Sequence, residues 1–296
     1  MKRNVLFRPT GLHVPPLTCL SADPKGKRVA CGTLESEIIL LDATTGKPKK
    51  PLKGHEAAVS GIAFTSEGKG LVSTSWDCTT RRWTTRGAPK ENPLLRHRTQ
   101  VKALAVHPES SRGAAGGRDG EVKVFSVATL KNLRNLQAHR TDISGLAFTS
   151  DGTRLVTASW DGESKLFDLS SYKQIRRLAK QKERVRSIAL APDDTRVFLG
   201  LHNGTILSVD TESPRDTQEI AGHTDIVTSL SVDPSGAWLV SGGWDRTLRV
   251  WSLESGKKVD EQRLLTGVSS LAWNAKSSHL YSADYSGAVI SWDITE

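Results

Sequence analysis

An all-β fold, built as a closed ring of seven four-stranded antiparallel units, is what this sequence predicts, and three observations predict it. First, the turn residues Glu35, Asp77, Asp119, Asp161, Asn203, Asp245 and Ser286 follow one another at intervals of 42, 42, 42, 42, 42 and 41 residues. Second, a parallel series runs 22 residues ahead of them: His13, His55, His97, His139, Gln181, His223 and Leu264. Third, six residues behind each turn stands a large apolar residue, namely Leu41, Trp83, Phe125, Phe167, Val209, Trp251 or Trp292. Repeats of this length mean stacked supersecondary units, and seven units of 42 fill the 296 residues. The two-domain expectation that length alone gives therefore yields to one domain over 1–296.

Unit six shows the elements of a repeat in order. Val227-Thr228-Ser229-Leu230-Ser231-Val232 reads as a first strand, and Asp233-Pro234-Ser235-Gly236 breaks it into a turn. Trp238 to Gly243 forms a second strand, the turn at Trp244-Asp245-Arg246 leads into Thr247 to Trp251 as a third, and Leu253 to Lys257 turns into a fourth. No helical period competes. A single meander of this kind has unburied faces and free edges, so the units must stack, and a ring closes the stack. The last unit ends after Ser291-Trp292-Asp293-Ile294 without a fourth strand, while Asn4-Val5-Leu6-Phe7 precedes the first unit in that position. Residues 4–8 are accordingly expected to complete the last blade and lock the ring.

Composition narrows the function classes. Hydrophobic residues make up 37% and charged residues 25%, which excludes a disordered polyelectrolyte. No apolar run reaches membrane-span length and the first residues do not read as a secretion signal, so the expectation is a soluble intracellular chain, cytoplasmic or, in a eukaryote, nuclear. The propeller itself is expected to be monomeric. Three cysteines without a CxxC pair give no support to disulfides or structural zinc. P-loop, GxSxG and HExxH patterns are missing, and no cofactor or metal is expected.

The Gly54-His55 and Gly222-His223 dipeptides, the turn aspartates and the strand-ending Trp83, Trp251 and Trp292 resemble the signature of the WD-repeat β-propeller family. The resemblance covers nearly the whole chain and implies a seven-bladed propeller. Trp76-Asp77, Trp160-Asp161 and Trp244-Asp245 are not the pair that names the family, because they sit in the turn between second and third strands. Only Trp292-Asp293 keeps that pair, with Leu41-Asp42, Phe167-Asp168 and Val209-Asp210 as apolar variants.

The resemblance also implies a hydrogen-bonded network in each blade, joining the histidine, a second-strand Ser or Thr, the turn aspartate and the strand-ending tryptophan. His55, Ser73, Asp77 and Trp83 form one full set and His223, Ser241, Asp245 and Trp251 another. A Ser, a His and an Asp together invite a hydrolase reading. A catalytic triad occurs once, however, whereas this one recurs with the blade, so the expected role is to satisfy buried polar groups. Unit three substitutes Ala115 and Phe125, and unit five has Gln181, Leu199, Asn203 and Val209; packing is expected to hold those blades. His107 and His279 fall outside the series and read as solvated turn residues.

The family resemblance places partners on the top face, which carries the second-to-third-strand turns, and has the residue before the turn aspartate point onto it. That position holds Leu34, Trp76, Arg118, Trp160, His202, Trp244 and Tyr285. Tryptophan and arginine are what binding hot spots are made of, while the structural alternative is that each Trp caps its own blade. The net charge of +9 is concentrated: residues 173 to 186 carry seven basic side chains and one acidic, leaving +3 for the rest. Lys180, Lys182 and Arg184, with Arg98 and Arg140 in equivalent loops, are expected to form a basic sector beside Trp160. The leading expectation is a non-enzymatic scaffold that binds an acidic or extended protein segment, within a multi-protein complex. The alternative is an RNA or ribonucleoprotein partner on the basic stretch, which lacks the aromatic interleaving that stacks bases. A propeller enzyme comes third.

Overall fold

The computed structural model describes residues 1–9, 14–85, 94–107, 109, 111–220, 222–274 and 279–294. These form seven antiparallel sheets arranged as a seven-bladed β-propeller, with no helix among the described residues. The inner strands are Leu17–Ala22, Val59–Phe64, Val101–Val106, Ile143–Phe148, Val185–Leu190, Val227–Val232 and Val268–Trp273. Each packs against the inner strands on either side, and the last packs against the first, which closes the ring. His13 lies outside the described residues.

Six blades have four strands each; blade one has three, Leu17–Ala22, Arg28–Thr33 and Ile38–Asp42. Its fourth position is reduced to two bridges, Ile38 to Leu52 and Leu41 to Pro48. Pro48 and Pro51 supply no backbone N–H, so a continuous ladder cannot form there. In the last blade the strand Lys2–Phe7 lies outermost on Val289–Asp293, with Arg3 opposite Trp292 and Asn4 opposite Ser291. Its buried residue, Leu6, packs with Leu17, Leu41 and Val289. The strand begins two residues before the 4–8 segment picked out by pattern and ends at Phe7.

The turns explain why the repeat keeps an acidic or amide residue. In blades two, three, four and six the aspartate Oδ1 accepts the backbone N–H two residues on, at 2.9 Å for Thr79, 3.2 Å for Glu121, 2.9 Å for Glu163 and 3.0 Å for Thr247. Asn203 does the same for Thr205 at 3.1 Å. The residue between takes a left-handed φ in every blade, as Ser36, Cys78, Gly120, Gly162, Gly204, Arg246 and Gly287. Glycine suits this conformation best, and it is used at four of the seven. Apolar clusters fill the spaces between neighbouring blades; Val72 and Leu95 of blade two, for example, meet Ala115 and Phe125 of blade three. No helix among the described residues is long and apolar enough to cross a membrane.

Candidate partner-binding face

The polar network is real geometry in three blades. In blade two His55 Nε2 lies 2.7 Å from Ser73 Oγ and Nδ1 lies 2.7 Å from Asp77 Oδ2, while Trp83 Nε1 donates to the same Ser73 Oγ at 2.7 Å. Blade six repeats this: His223 reaches Ser241 at 2.8 Å and Asp245 at 2.9 Å, and Trp251 Nε1 donates to Ser241 at 2.9 Å. Blade four keeps His139, Thr157 and Asp161, at 2.8 Å and 3.0 Å, but ends in Phe167. Burial alone would raise the carboxyls of Asp77, Asp161 and Asp245, yet the bonds from histidine and backbone outweigh it and hold them below the usual carboxylate range. A nucleophile must reach its substrate. Ser73 and Ser241 are fully buried, and each already accepts an indole N–H, so the arrangement satisfies buried groups.

Elsewhere the network is rebuilt. His97 lacks a hydroxyl at position 115 and bonds instead to Thr80 Oγ1 of blade two at 2.8 Å. Burial lowers its pKa to about 4, with Lys123 nearby acting in the same direction. Blade seven, with Leu264 in place of histidine, still has Trp292 Nε1 donating to Ser282 Oγ at 2.8 Å. His107 and His279 are not the solvated turn residues that spacing indicated. His107 is buried and its Nε2 lies 3.0 Å from the Ser150 carbonyl, because the turn of blade four folds over it. His279 starts a strand, half-buried, with Asp293 3.8 Å away.

Leu34, Trp76, Trp160, Trp244 and Tyr285 surround one end of the central channel, a cavity of about 570 Å³. Trp76, Trp244, Tyr285 and Leu34 are 37, 47, 40 and 46% exposed. The Trp244 and Tyr285 rings meet edge to face at 6.5 Å. The other two tryptophans are covered by cations: Lys102 Nζ lies 4.2 Å from the Trp76 ring centre, and the guanidinium carbons of Arg184 and Arg186 lie 5.2 and 4.6 Å from that of Trp160. Arg118 and His202 are exposed at their own turns and do not line the cavity.

A model of the family described as WD domain, G-beta repeat matches residues 46–84, 91–126, 130–168 and 214–252, just over half of the sequence. The chain belongs to the WD-repeat family. Among curated proteins it resembles periodic tryptophan protein 2 of Saccharomyces cerevisiae, 30% identical over 128 residues, or 43% of this chain and 14% of that one. The Arabidopsis thaliana protein of the same name is 36% identical over 109 residues, 36% of this chain and 12% of that one. Human striatin-4 is 32% identical over 114 residues, 37% and 14% of the two. The matched stretches thus span about one-seventh or less of these relatives' length.

The basic stretch of this WD-repeat chain is divided by the fold. Residues 174–180 form the outer strand of blade four. Arg176 pairs with Glu212 at 3.0 Å, and Arg177 and Lys180 reach Glu163 at 3.4 and 3.9 Å. Arg184 joins Trp160. Arg98, Arg140 and Lys182 are exposed on their loops, and the Arg140 backbone N–H donates to Asp161 at 3.2 Å. His139, Asp161 and Glu163 have donor atoms within 4.8 Å of one another, a spacing a metal could use. They are engaged with protein groups instead: His139 with Asp161 and Thr157, Glu163 with Lys165 at 3.2 Å.

Pattern reading did not single out Lys102, Asp142 or Arg186; Arg186 belongs to an inner strand that lines the channel. A further series contains the signal. The second residue of each inner strand is Thr18, Ser60, Lys102, Ser144, Arg186, Thr228 or Ser269. Five are small hydroxyls and two are cations.

Proposed function

We propose that this WD-repeat chain is a non-catalytic scaffold whose top face binds an extended, acidic protein segment within a multi-protein complex. The observation that carries the reading is the set of exposed aromatic rings around one channel mouth, with Lys102, Arg184 and Arg186 against two of them. Aromatic anchors supply buried area and the surrounding cations select acidic partners and speed encounter. The repeating Ser-His-Asp sets support a structural role, because they are buried and shared among blades. A nucleic-acid partner draws less support from the fold than from the bare sequence, since Arg176, Arg177 and Lys180 are drawn to Glu212 and Glu163. The test is a Trp76→Ala, Trp160→Ala, Trp244→Ala triple variant. Folded variant protein is expected to lose its co-purifying partner, while retention at full affinity overturns the top-face assignment.

A further inference from the structure

Three of the seven positions in the series at the channel mouth stitch neighbouring blades, whereas the hydroxyls of Ser144 and Ser269 are buried without a hydrogen-bond partner among the described residues. The hydroxyls of Thr18, Ser60 and Thr228 donate to the carbonyls of Val59, Val101 and Val268, the first residues of the next inner strands, at 2.7 Å for Ser60 and 2.6 Å for Thr228. Arg186 cannot make that bond, and its neighbour Ser187 makes it instead, donating to the Val227 carbonyl at 2.9 Å. The blade junction is therefore stitched without Arg186. Its side chain turns into the mouth, where Nε is buried and lacks a hydrogen-bond partner among the described residues.

Two blades away Lys102 lies over Trp76 and, among the described residues, makes no ion pair. One carboxylate, that of Asp142, lines the cavity with them, and it accepts the Thr141 hydroxyl at 3.1 Å. Burial works against both charges. It lowers the Lys102 pKa, with Asp142 opposing and Arg118 and Arg186 reinforcing, and it lowers that of Arg186, with Tyr285 and Asp142 opposing and Arg184 reinforcing. Half-buried cations left unpaired are costly unless something neutralises them.

We infer, on the basis of the top-face reading, that Lys102 and Arg186 form an anion-receiving subsite in the channel mouth, which takes one carboxylate or phosphate group borne on a side chain of the bound protein segment. A cationic insert is disfavoured because the faces of Trp76 and Trp160 are already occupied by this chain's own cations. A nucleic-acid backbone is disfavoured as well. It needs a groove with a row of cations, whereas this pair lies at the mouth of a central cavity walled by seven inner strands. At two of the seven equivalent positions a cation replaces the hydroxyl and lies against the preceding blade's tryptophan; that contact leaves its charge without a carboxylate, which an anionic ligand supplies.

Tryptophan fluorescence provides the test, because Trp76 and Trp160 lie against the two cations. The wild-type chain is titrated with inorganic phosphate and with tetramethylammonium at constant ionic strength. It is then titrated with Gly/Ser decapeptides carrying a central glutamate, phosphoserine or lysine, and with a ten-nucleotide oligouridine. Saturable phosphate binding, preference for the anionic peptides over the lysine peptide, and at least tenfold weakening in Arg186→Met and Lys102→Met with urea midpoints no lower than that of the wild type are expected. The glutamate and phosphoserine arms distinguish the two sources of the anion. Equal phosphate response in both variants, preference for tetramethylammonium or the lysine peptide, or tighter binding of the oligonucleotide than of either anionic peptide overturns the subsite. If the triple tryptophan variant loses its partner while Arg186→Met and Lys102→Met bind phosphate normally, the top face stands and the subsite falls. If phosphate binding depends on Arg186 but the triple variant keeps its partner, the subsite stands and the partner face lies elsewhere.

Discussion

Blades two and three are neighbours built on the same 42-residue template, and they hold themselves together by different means. Blade two runs a polar chain through its interior, from Asp77 through His55 to Ser73 and Trp83. In blade three Ala115 and Phe125 stand where Ser73 and Trp83 stand, and Gly113 leaves room for the Phe125 ring, since a Cβ there would lie 2.3 Å from it. The changes are coordinated. An indole needs an acceptor for its N–H, whereas a phenyl ring needs only space. His97, released from the missing hydroxyl, turns to Thr80 of blade two. The contrast teaches that the Ser-His-Asp sets are one of two interchangeable ways to fill a blade, so their triad-like appearance carries no functional information. Residues that break the pattern and leave a charge without an ion pair, such as Lys102 in this same blade three, are where function is to be sought.

The comparison can be broken most severely at the strand-ending aromatic residues of the two blades. Trp83 is 1% exposed, and Trp83→Ala is expected to cost about 4 kcal/mol from lost burial and cavity, with Ser73 and His55 also disturbed; Phe125→Ala is expected at the lower end of about 3–5 kcal/mol. Urea unfolding measures both, and a smaller loss at Trp83 than at Phe125 would show that the polar chain adds nothing. Next in size, Ser73→Ala removes the partner of both Trp83 Nε1 and His55 Nε2 and is expected to cost roughly 2–3 kcal/mol. Ala115→Ser does not restore the chain in blade three, because no indole faces it, and is expected to destabilise by about 1–2 kcal/mol. Stabilisation by Ala115→Ser would mean that His97 returns to the family position.

Another effect concerns pH. His97 has a folded pKa near 4 against an unfolded value of about 6.5, so its neutral form is favoured by folding. Its stabilising contribution is complete above about pH 6.5 and is lost as pH falls through 4, because the unfolded chain binds the proton first. His97→Gln is expected to flatten the stability curve across that window by roughly 2 kcal/mol, read from urea midpoints at pH 7 and pH 4. An unchanged slope would place the titration on another group. The lowered carboxyls of Asp77, Asp161 and Asp245 act at more acid pH: their stabilisation is present above the unfolded value near 3.9 and is lost below it.

The repeat and the number of blades were legible in the sequence, because both depend on local period and residue type, which recur seven times, and the members of each polar set followed from the family resemblance that those residues carry. The Ser73, Asp77, Trp83 set is an instance: fixed spacing places each member on a known strand or turn. The fate of His97 was not legible, since its new partner Thr80 belongs to the preceding blade and pairs with it only through the packing of two sheets. His107 was misread for a related reason, as it is buried by the Ser150 turn 43 residues away. Sequence density also overstated the basic stretch at 173–186. Strand pairing sends Arg177 and Lys180 towards Glu163 on the adjacent strand, and only Arg184 and Arg186 arrive at Trp160.

By itself, then, the sequence determined a ring of seven WD-repeat blades, because a 42-residue period of strands and turns has few ways to bury itself. Which charges meet which aromatic rings was decided by the tertiary structure alone. Lys102 and Trp76, 26 residues and one blade apart, become neighbours only when seven inner strands converge on one channel, and convergence leaves Lys102 and Arg186 half-buried and without a carboxylate in ion-pair contact among the described residues. Burial gives such charges their consequence, and burial is a property of the closed ring.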